Sequence, residues 1–266
     1  VQSVVLFDLN LASIKGVIGV YISASSRCFS ADKFEDACRQ LTDLEYDRIE
    51  IWFDSEGNHL DVNEVSADPD AFVAKFRDMT RMTPIAFCLD HEISPQVLSG
   101  LTKLAKLLRV TQITIPASEL GTPFNSEIDR LRALLTIASE DGIRLSIKTK
   151  TGHLTEDPHT AVELCQAVRG LGLTLDASYY ICGPYKDQTY DQVFPHVYHT
   201  QLRDTTPGQF QVQTGLGEVD FSKLIAQLAR QDYKQALSVE IHPELLDGAD
   251  RSLELRKIRM LLETLL

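Results

Sequence analysis

Basic residues are in short supply. Twenty-six Lys and Arg face 38 Asp and Glu, leaving a formal charge of −12. Nucleic acid and anionic membranes recruit proteins through basic patches, so neither is an expected partner. The charge favours solubility and says little about fold. Cysteines are few and odd in number (Cys28, Cys38, Cys88, Cys165, Cys182), and no two form a C-x-x-C pair. Buried or free thiols in a reducing compartment are expected, rather than a disulfide framework or a zinc knuckle. Asp8, Asn10 and Lys15 interrupt the apolar start of the chain. Neither a signal-peptide core nor a spanning helix is therefore expected, and the cytoplasm is the default location. No low-complexity stretch, P-loop, H-E-x-x-H or Ser-His-Asp order is present.

What is present is a repeat of strand then helix. The 266 residues, 44% of them hydrophobic, suit one large domain. Apolar runs predict strands at 16–22, 48–53, 84–89, 112–115, 143–148, 171–176, 197–203 and 236–241. Between them, periodicity and capping residues predict helices at 31–44, 67–82, 94–108, 127–140, from Asp157-Pro158 onward, 220–231 and 251–266, with a short helical piece near Asp191. The 94–108 helix carries a stripe of Val97, Leu98, Leu101, Leu104, Leu107 and Leu108. Alternation of this kind implies a parallel sheet, and eight strands close a barrel. The rival, an open doubly wound sheet, is disfavoured because no Gly-rich dinucleotide turn follows any strand. The expected fold is therefore an α/β (β/α)8 TIM barrel over residues 16–266, with residues 1–15 as an extension forming a cap or hairpin.

In such a barrel the chemistry sits where the strands end. The strand ends here are Glu50, Asp90 with His91, Lys148 with Lys150, Asp176, Gln201 with Arg203, and Glu240 with His242. Residues two apart share a face of a strand, so Gln201 points with Arg203 and Lys148 with Lys150. His199 shares the face of Gln201 about 6.6 Å deeper and reads as a hydrogen-bonded core histidine. His153 and His159 read as solvated loop residues. The glycines of TGLGEVD (Gly215, Gly217) would let backbone N–H groups approach a phosphate.

Several segments resemble the xylose-isomerase-like barrels, the group of sugar-phosphate isomerases and epimerases, inosose dehydratases and dehydroshikimate dehydratases. YDRIEIW resembles that family's second strand. GHLTEDPHTAVELCQAVRGLGLTLDASYY resembles its fifth helix and sixth strand. QLRDTTPGQFQVQTGLGEVDFSKLIAQLARQDYKQALSVEIHP resembles its seventh strand through its eighth. The likeness runs from about residue 16 to the end and is strongest after Gly142.

The resemblance implies one divalent cation held by Glu, Asp, His and Glu from strands five to eight. Those positions carry Lys148, Asp176, Gln201 and Glu240 here, and the family's substrate-contacting His falls on Tyr179. The usual set offers about −3 to a dication, and this one about −1. An ammonium has donors and no acceptor, so Lys148 repels a metal. The leading expectation is an internal salt-bridge cluster, with Lys148 flanked by Asp176 and Glu240, and no cofactor. If a divalent metal (Mn, Mg, Co or Zn) binds after all, Asp176, Glu240 and His242 are its ligands.

By resemblance the reaction is an isomerase, epimerase or lyase step on a small polyhydroxylated sugar or sugar phosphate, with proton transfer next to a carbonyl. Lys148, Asp176 and Glu240 are the catalytic candidates, and a Schiff base on Lys148 is a variant of that reading. Glu50, Tyr179, Gln201, Arg203 and His242 are the substrate-binding candidates. A non-catalytic sugar-binding or regulatory protein is the alternative, followed by a metal-dependent enzyme with an altered ligand set. A homo-oligomer is compatible with all three.

Overall fold

The structure, a computed structural model, describes residues 19–266. The expected extension over residues 1–15 and the first residues of the first expected strand lie outside that range. Eight strands run β1 (Tyr21–Ser25), β2 (Arg48–Phe53), β3 (Thr83–Leu89), β4 (Gln112–Pro116), β5 (Arg144–Lys148), β6 (Gly172–Asp176), β7 (Val197–Leu202) and β8 (Ala236–Val239). They pair in parallel in sequence order, and β1 closes on β8 through Tyr21 opposite Ala236. This is the (β/α)8 barrel that the alternation implied.

The helices are α1 (Phe34–Asp43), α2 (Val62–Ala67), α3 (Pro69–Met79), α4 (Pro95–Leu108), α5 (Phe124–Glu140), α6 (Pro158–Ala167), α7 (Ser178–Cys182), α8 (Phe221–Arg230) and α9 (Arg251–Leu265). Local chemistry explains most of the starts. Ser94 accepts from the Val97 N–H ahead of Pro95, Asp157 from His159 ahead of Pro158, and Asp68 from Ala71 ahead of Pro69. Each pairs a side-chain cap with a first-turn proline, whose missing N–H costs nothing there. Along α4, Leu98, Leu101, Leu104 and Ala105 are fully buried against the barrel, each leucine contributing about 1.5–3 kcal/mol. Leu107, expected in that stripe, is 41% exposed.

Two departures have physical causes. Within the described residues the first strand is Tyr21–Ser25, overlapping the expected 16–22 only at Tyr21 and Ile22. Gly19 takes φ +113, outside any strand conformation, and forms a turn. The true strand carries Ser23 and Ser25, both buried, so an apolar-run criterion slides off it. Helix α2 is only six residues long, capped by Asp61 on the Asn63 N–H, and is too short to show a 3.6-residue period.

The barrel interior is polar towards its centre. Gln112 Nε2 donates to Ser146 Oγ (2.6 Å), Ser146 and Thr174 hydroxyls pair at 2.6 Å, and Thr114 joins Thr174 at 2.7 Å. The apolar core lies outside, between strands and helices, and the charged groups gather above the polar layer where the strands end.

Candidate active site at the barrel mouth

Polar side chains leave the apolar strands where the ladders stop. Lys148 and Asp176 are the last residues of β5 and β6, Gln201 is the penultimate residue of β7, and Arg203 and Glu240 follow β7 and β8 directly. None of these five is more than 3% exposed. Buried charges survive only when paired, and here they pair with one another.

Arg203 is the hub. Its Nη2 donates to Asp176 Oδ2 and to Glu240 Oε2, each at 2.6 Å. Its Nη1 donates to His242 Nε2 at 2.9 Å. Because a guanidinium has no acceptor, His242 must present a bare Nε2 and carry its proton on Nδ1. Lys148 Nζ donates to the same Glu240 Oε2, also at 2.6 Å. Lys148 is thus partnered by Glu240, whereas Asp176 is taken by Arg203, so the expected bracket of Lys148 by both carboxylates is split between two cations. The Arg203 guanidinium lies 4.6 Å over the Phe210 ring, which is 4.6 Å from Tyr179 and 5.8 Å from His242.

A second layer lies against the first. Glu50 accepts from Gln201 Nε2 at 2.8 Å and from His199 Nε2. Gln201 Nε2 also points its N–H at Cys88 Sγ, 3.3 Å away. His199 is therefore the hydrogen-bonded core histidine expected of it. Both Glu50 oxygens are engaged, so this residue lies beneath the charged cluster rather than open to a ligand. Cys88 and Phe210 were not singled out from sequence. Strand alternation could have found Cys88, two residues before Asp90; nothing local marked Phe210.

The electrostatics follow from burial and pairing. Burial, the largest single effect, would lower the Lys148 pKa, but Glu240 together with the smaller contributions of its other neighbours, Asp176 among them, outweighs it and the pKa is raised. Burial would raise Glu240, yet the Lys148 and Arg203 charges hold it well below the usual carboxylate range. For Asp176, burial wins over Arg203 and Lys148, and its pKa is raised. Burial and the Arg203 charge push His242 down to about 3. Four buried polar atoms around the cluster have no protein partner: Glu240 Oε1, Gln201 Oε1, Arg203 Nε and, beside the Arg27 guanidinium, Trp52 Nε1. Such orphans are rare and mark places where a ligand or water completes the network.

The Gly-rich loop after β7 is committed elsewhere. Gly215 and Gly217 N–H groups donate to Asp204 Oδ2 at 2.8 and 3.0 Å. The chain's own carboxylate fills the nest that a phosphate would need. Among the described residues one group of potential ligands draws together, with one atom each from Glu50, Cys88 and Glu240 within 4.8 Å of one another. No helix of the described residues is long and apolar enough to cross a membrane.

Comparison with solved structures finds the same architecture at low identity. A xylose isomerase-like TIM barrel protein from Mycobacterium smegmatis, in complex with magnesium, superposes with a TM-score of 0.71 at 16% identity, covering 92% of this chain and 95% of that one. The probable 3-DHS dehydratase involved in petrobactin synthesis in Bacillus anthracis gives 0.68 at 15%, covering 91% and 98%. A D-allulose 3-epimerase from Methylomonas sp., in complex with D-allulose, gives 0.67 at 14%, covering 93% and 97%. No curated protein matches the sequence. The family model for the xylose isomerase-like TIM barrel matches residues 38–259, from α1 through β8 and its mouth residues into α9, and on that match the chain belongs to the xylose isomerase-like TIM barrel family.

Proposed function

We propose that the chain acts on a small polyhydroxylated carbonyl compound, moving a proton next to the carbonyl as isomerases, epimerases and some lyases do, with two side-chain cations in the electrostatic role of a divalent metal. One observation carries this reading. Lys148 and Arg203 both bond Glu240 Oε2 at 2.6 Å, while Glu240 Oε1 has no partner.

The donor set does not fit a metal ion. Both Glu50 oxygens are taken by His199 and Gln201. Burial drives the Cys88 thiol well above its usual pKa, so it supplies no thiolate. Only Glu240 Oε1 is left of that triad. The second set, Asp176, Glu240 and His242, already has the Arg203 guanidinium at its centre, bonded to all three. A dication about 4 Å from one unit positive charge is opposed by roughly 8 kcal/mol at an effective dielectric of 20. The relatives include a magnesium complex; this chain's own residues support a different solution.

The protein groups divide the work. Lys148 stays cationic and uses one of its three donors on Glu240; the others are suited to a carbonyl oxygen and the enediolate that develops on it. Its raised pKa works against the neutral amine that a Schiff base needs, so that variant is not part of the proposal. Two carboxyls with pKa values pushed apart are the usual mark of divided acid–base roles. Asp176, pushed up, is the carboxylate that takes and returns the proton, and Glu240, held down, stays anionic and accepts a substrate hydroxyl at Oε1. Tyr179, Phe210 and His242 wall the place. A non-catalytic sugar-binding role is the second reading, supported by the burial and mutual pairing of every charge in the cluster.

Protein purified without chelator, assayed for metal content and for turnover on aldoses, ketoses and their phosphates, tests both. Turnover that survives chelation and falls at least a hundredfold in Lys148→Met and Glu240→Gln is expected. Stoichiometric metal whose removal abolishes turnover refutes the metal-free reading. Sugar binding without turnover supports the second.

A further inference from the structure

Beside the cluster, where β3, β4 and β5 pass into their loops, lies a cavity of about 460 Å³ walled by Asp90, Glu92, Glu119, Lys150 and His153 among others. Its volume is that of a small-molecule site. The β4 and β5 loops are pinned together: Leu120 N–H donates to Gly152 O at 3.0 Å and Leu154 N–H to Ser118 O at 2.9 Å. Lys150 stands two residues beyond Lys148 and feels its charge, so the cavity adjoins the proposed reaction centre.

The polar groups in it are not equivalent. Asp90 is held by Arg27 and His91, both at 3.3 Å, whereas Ser118 Oγ, 3.4 Å from Glu92, gives its one proton to Glu127 at 2.6 Å and leaves Glu92 free. His153 donates Nδ1–H to Thr151 O at 3.3 Å, since a carbonyl can only accept, which leaves Nε2 as an acceptor. Burial lowers its pKa further. Lys150 has no hydrogen-bond or ion partner among the described residues, and Glu119 is exposed. The free set is two anionic acceptors, Glu92 and Glu119, one neutral acceptor and one ammonium donor. A hydroxyl group, donor and acceptor at once, satisfies such a set. A phosphate would meet one cation among three carboxylates.

A second, independent observation points the same way. The backbone nest after β7 is filled by Asp204, and Arg203 is occupied by Asp176 and Glu240. We infer that the substrate is a neutral polyhydroxylated compound without a phosphate, whose far-end hydroxyls lie on Lys150, His153 and Glu119 in this cavity. This rests on the proposed function and narrows it.

Calorimetric titration with D-allulose, D-fructose, myo-inositol, D-fructose 6-phosphate and inorganic phosphate tests the inference, on the unmodified protein, Lys150→Met and His153→Ala. Both side chains are partly exposed, so neither change removes core packing. A neutral member binding at least tenfold tighter than the phosphates, and weakened about fivefold to tenfold by each substitution, is the expected result. Tighter binding of D-fructose 6-phosphate, lost in Lys150→Met, overturns the inference and leaves the function standing. Neutral-sugar binding unchanged in both variants removes the cavity from the site. Failure of every compound to bind at 10 mM, on the order of the weak limit for such ligands, sinks the functional reading and this inference together.

Discussion

Replacing Lys148 with methionine deletes one arm of a buried cluster and leaves the rest in place. Lys148 and Glu240 are in contact at 2.6 Å and are 3% and 0% exposed. With charge centres about 4 Å apart and an effective dielectric of 20, their attraction is on the order of 4 kcal/mol. Breaking such a pair from one side costs about 3–5 kcal/mol, because the remaining charge stays buried. Glu240 retains Arg203, so the lower end, about 3 kcal/mol, is expected for Lys148→Met. Glu240→Gln leaves two cations sharing Asp176 and should cost a similar amount. In the double variant neither orphan charge exists, so the cost should be about 4 kcal/mol rather than about 6, a coupling of roughly 2 kcal/mol. Urea unfolding at pH 7 reads this directly, and in a melt each single variant should lose roughly 6–12 °C of Tm. The sign with pH is set by the raised Lys148 pKa. The stabilisation is complete below the unfolded lysine value near 10.4 and is lost as pH rises through the folded one, so pH 7 samples all of it. Additivity within about 0.5 kcal/mol would refute the shared-oxygen geometry.

His242 should stay neutral through the physiological range, because burial and Arg203 hold it at about 3. A base whose folded pKa is depressed stabilises the fold above its unfolded value and loses that contribution as pH falls. Stability should therefore drop by about 1.4 kcal/mol per unit between about pH 6.5 and 3, a slope absent in His242→Asn. An NMR titration of His242 with a midpoint above 5 would refute it. In the loop after β7, Gly217→Ala places a Cβ 1.9 Å from Asp204 Oδ1 and should cost about 1–3 kcal/mol by overpacking. Gly215→Ala meets nothing within 4 Å but sits at φ +92, so only backbone strain of about 1 kcal/mol is expected. Equal unfolding midpoints for both variants would mean that Asp204 does not fill the loop.

Local signals carried the fold. Strand β2 has the limits read from RIEIWF, and α3, α4 and α6 begin at prolines behind Asp68, Ser94 and Asp157, because caps and buried runs are short-range physics. Strand β1 was misplaced because its inward face is serine, which reads as loop when burial is judged by hydrophobicity. Strand ends also identified the residues of the cluster, since an ionisable group closing an apolar strand is conspicuous. Their pairing was not legible. Lys148 and Glu240 are 92 residues apart and Arg203 and Asp176 are 27 apart, and which cation takes which carboxylate depends on barrel register and side-chain reach.

Arg203 is where this matters for function. Counted by family position, Lys148, Asp176, Gln201 and Glu240 sum to about −1, which leaves open a weak metal site. Arg203 lies outside that count, one residue beyond β7, yet its guanidinium bonds Asp176, Glu240 and His242 at once. Including it, two cations face two carboxylates and the cluster is neutral before any ion arrives. On the proposed reading a neutral, fully buried cluster has no electrostatic demand for a dication, but it does have an unsatisfied acceptor in Glu240 Oε1 and unused donors on Lys148. Those are the atoms a hydroxyl and a carbonyl oxygen of one substrate would satisfy together. Arg203→Met should therefore change the ligand preference of the site and not merely weaken it. With Asp176, Glu240 and the bare Nε2 of His242 released, manganese or zinc should bind measurably to the variant by calorimetry and not to the unmodified protein. Equal metal affinity in the two would mean that Arg203 does not hold the ion's place.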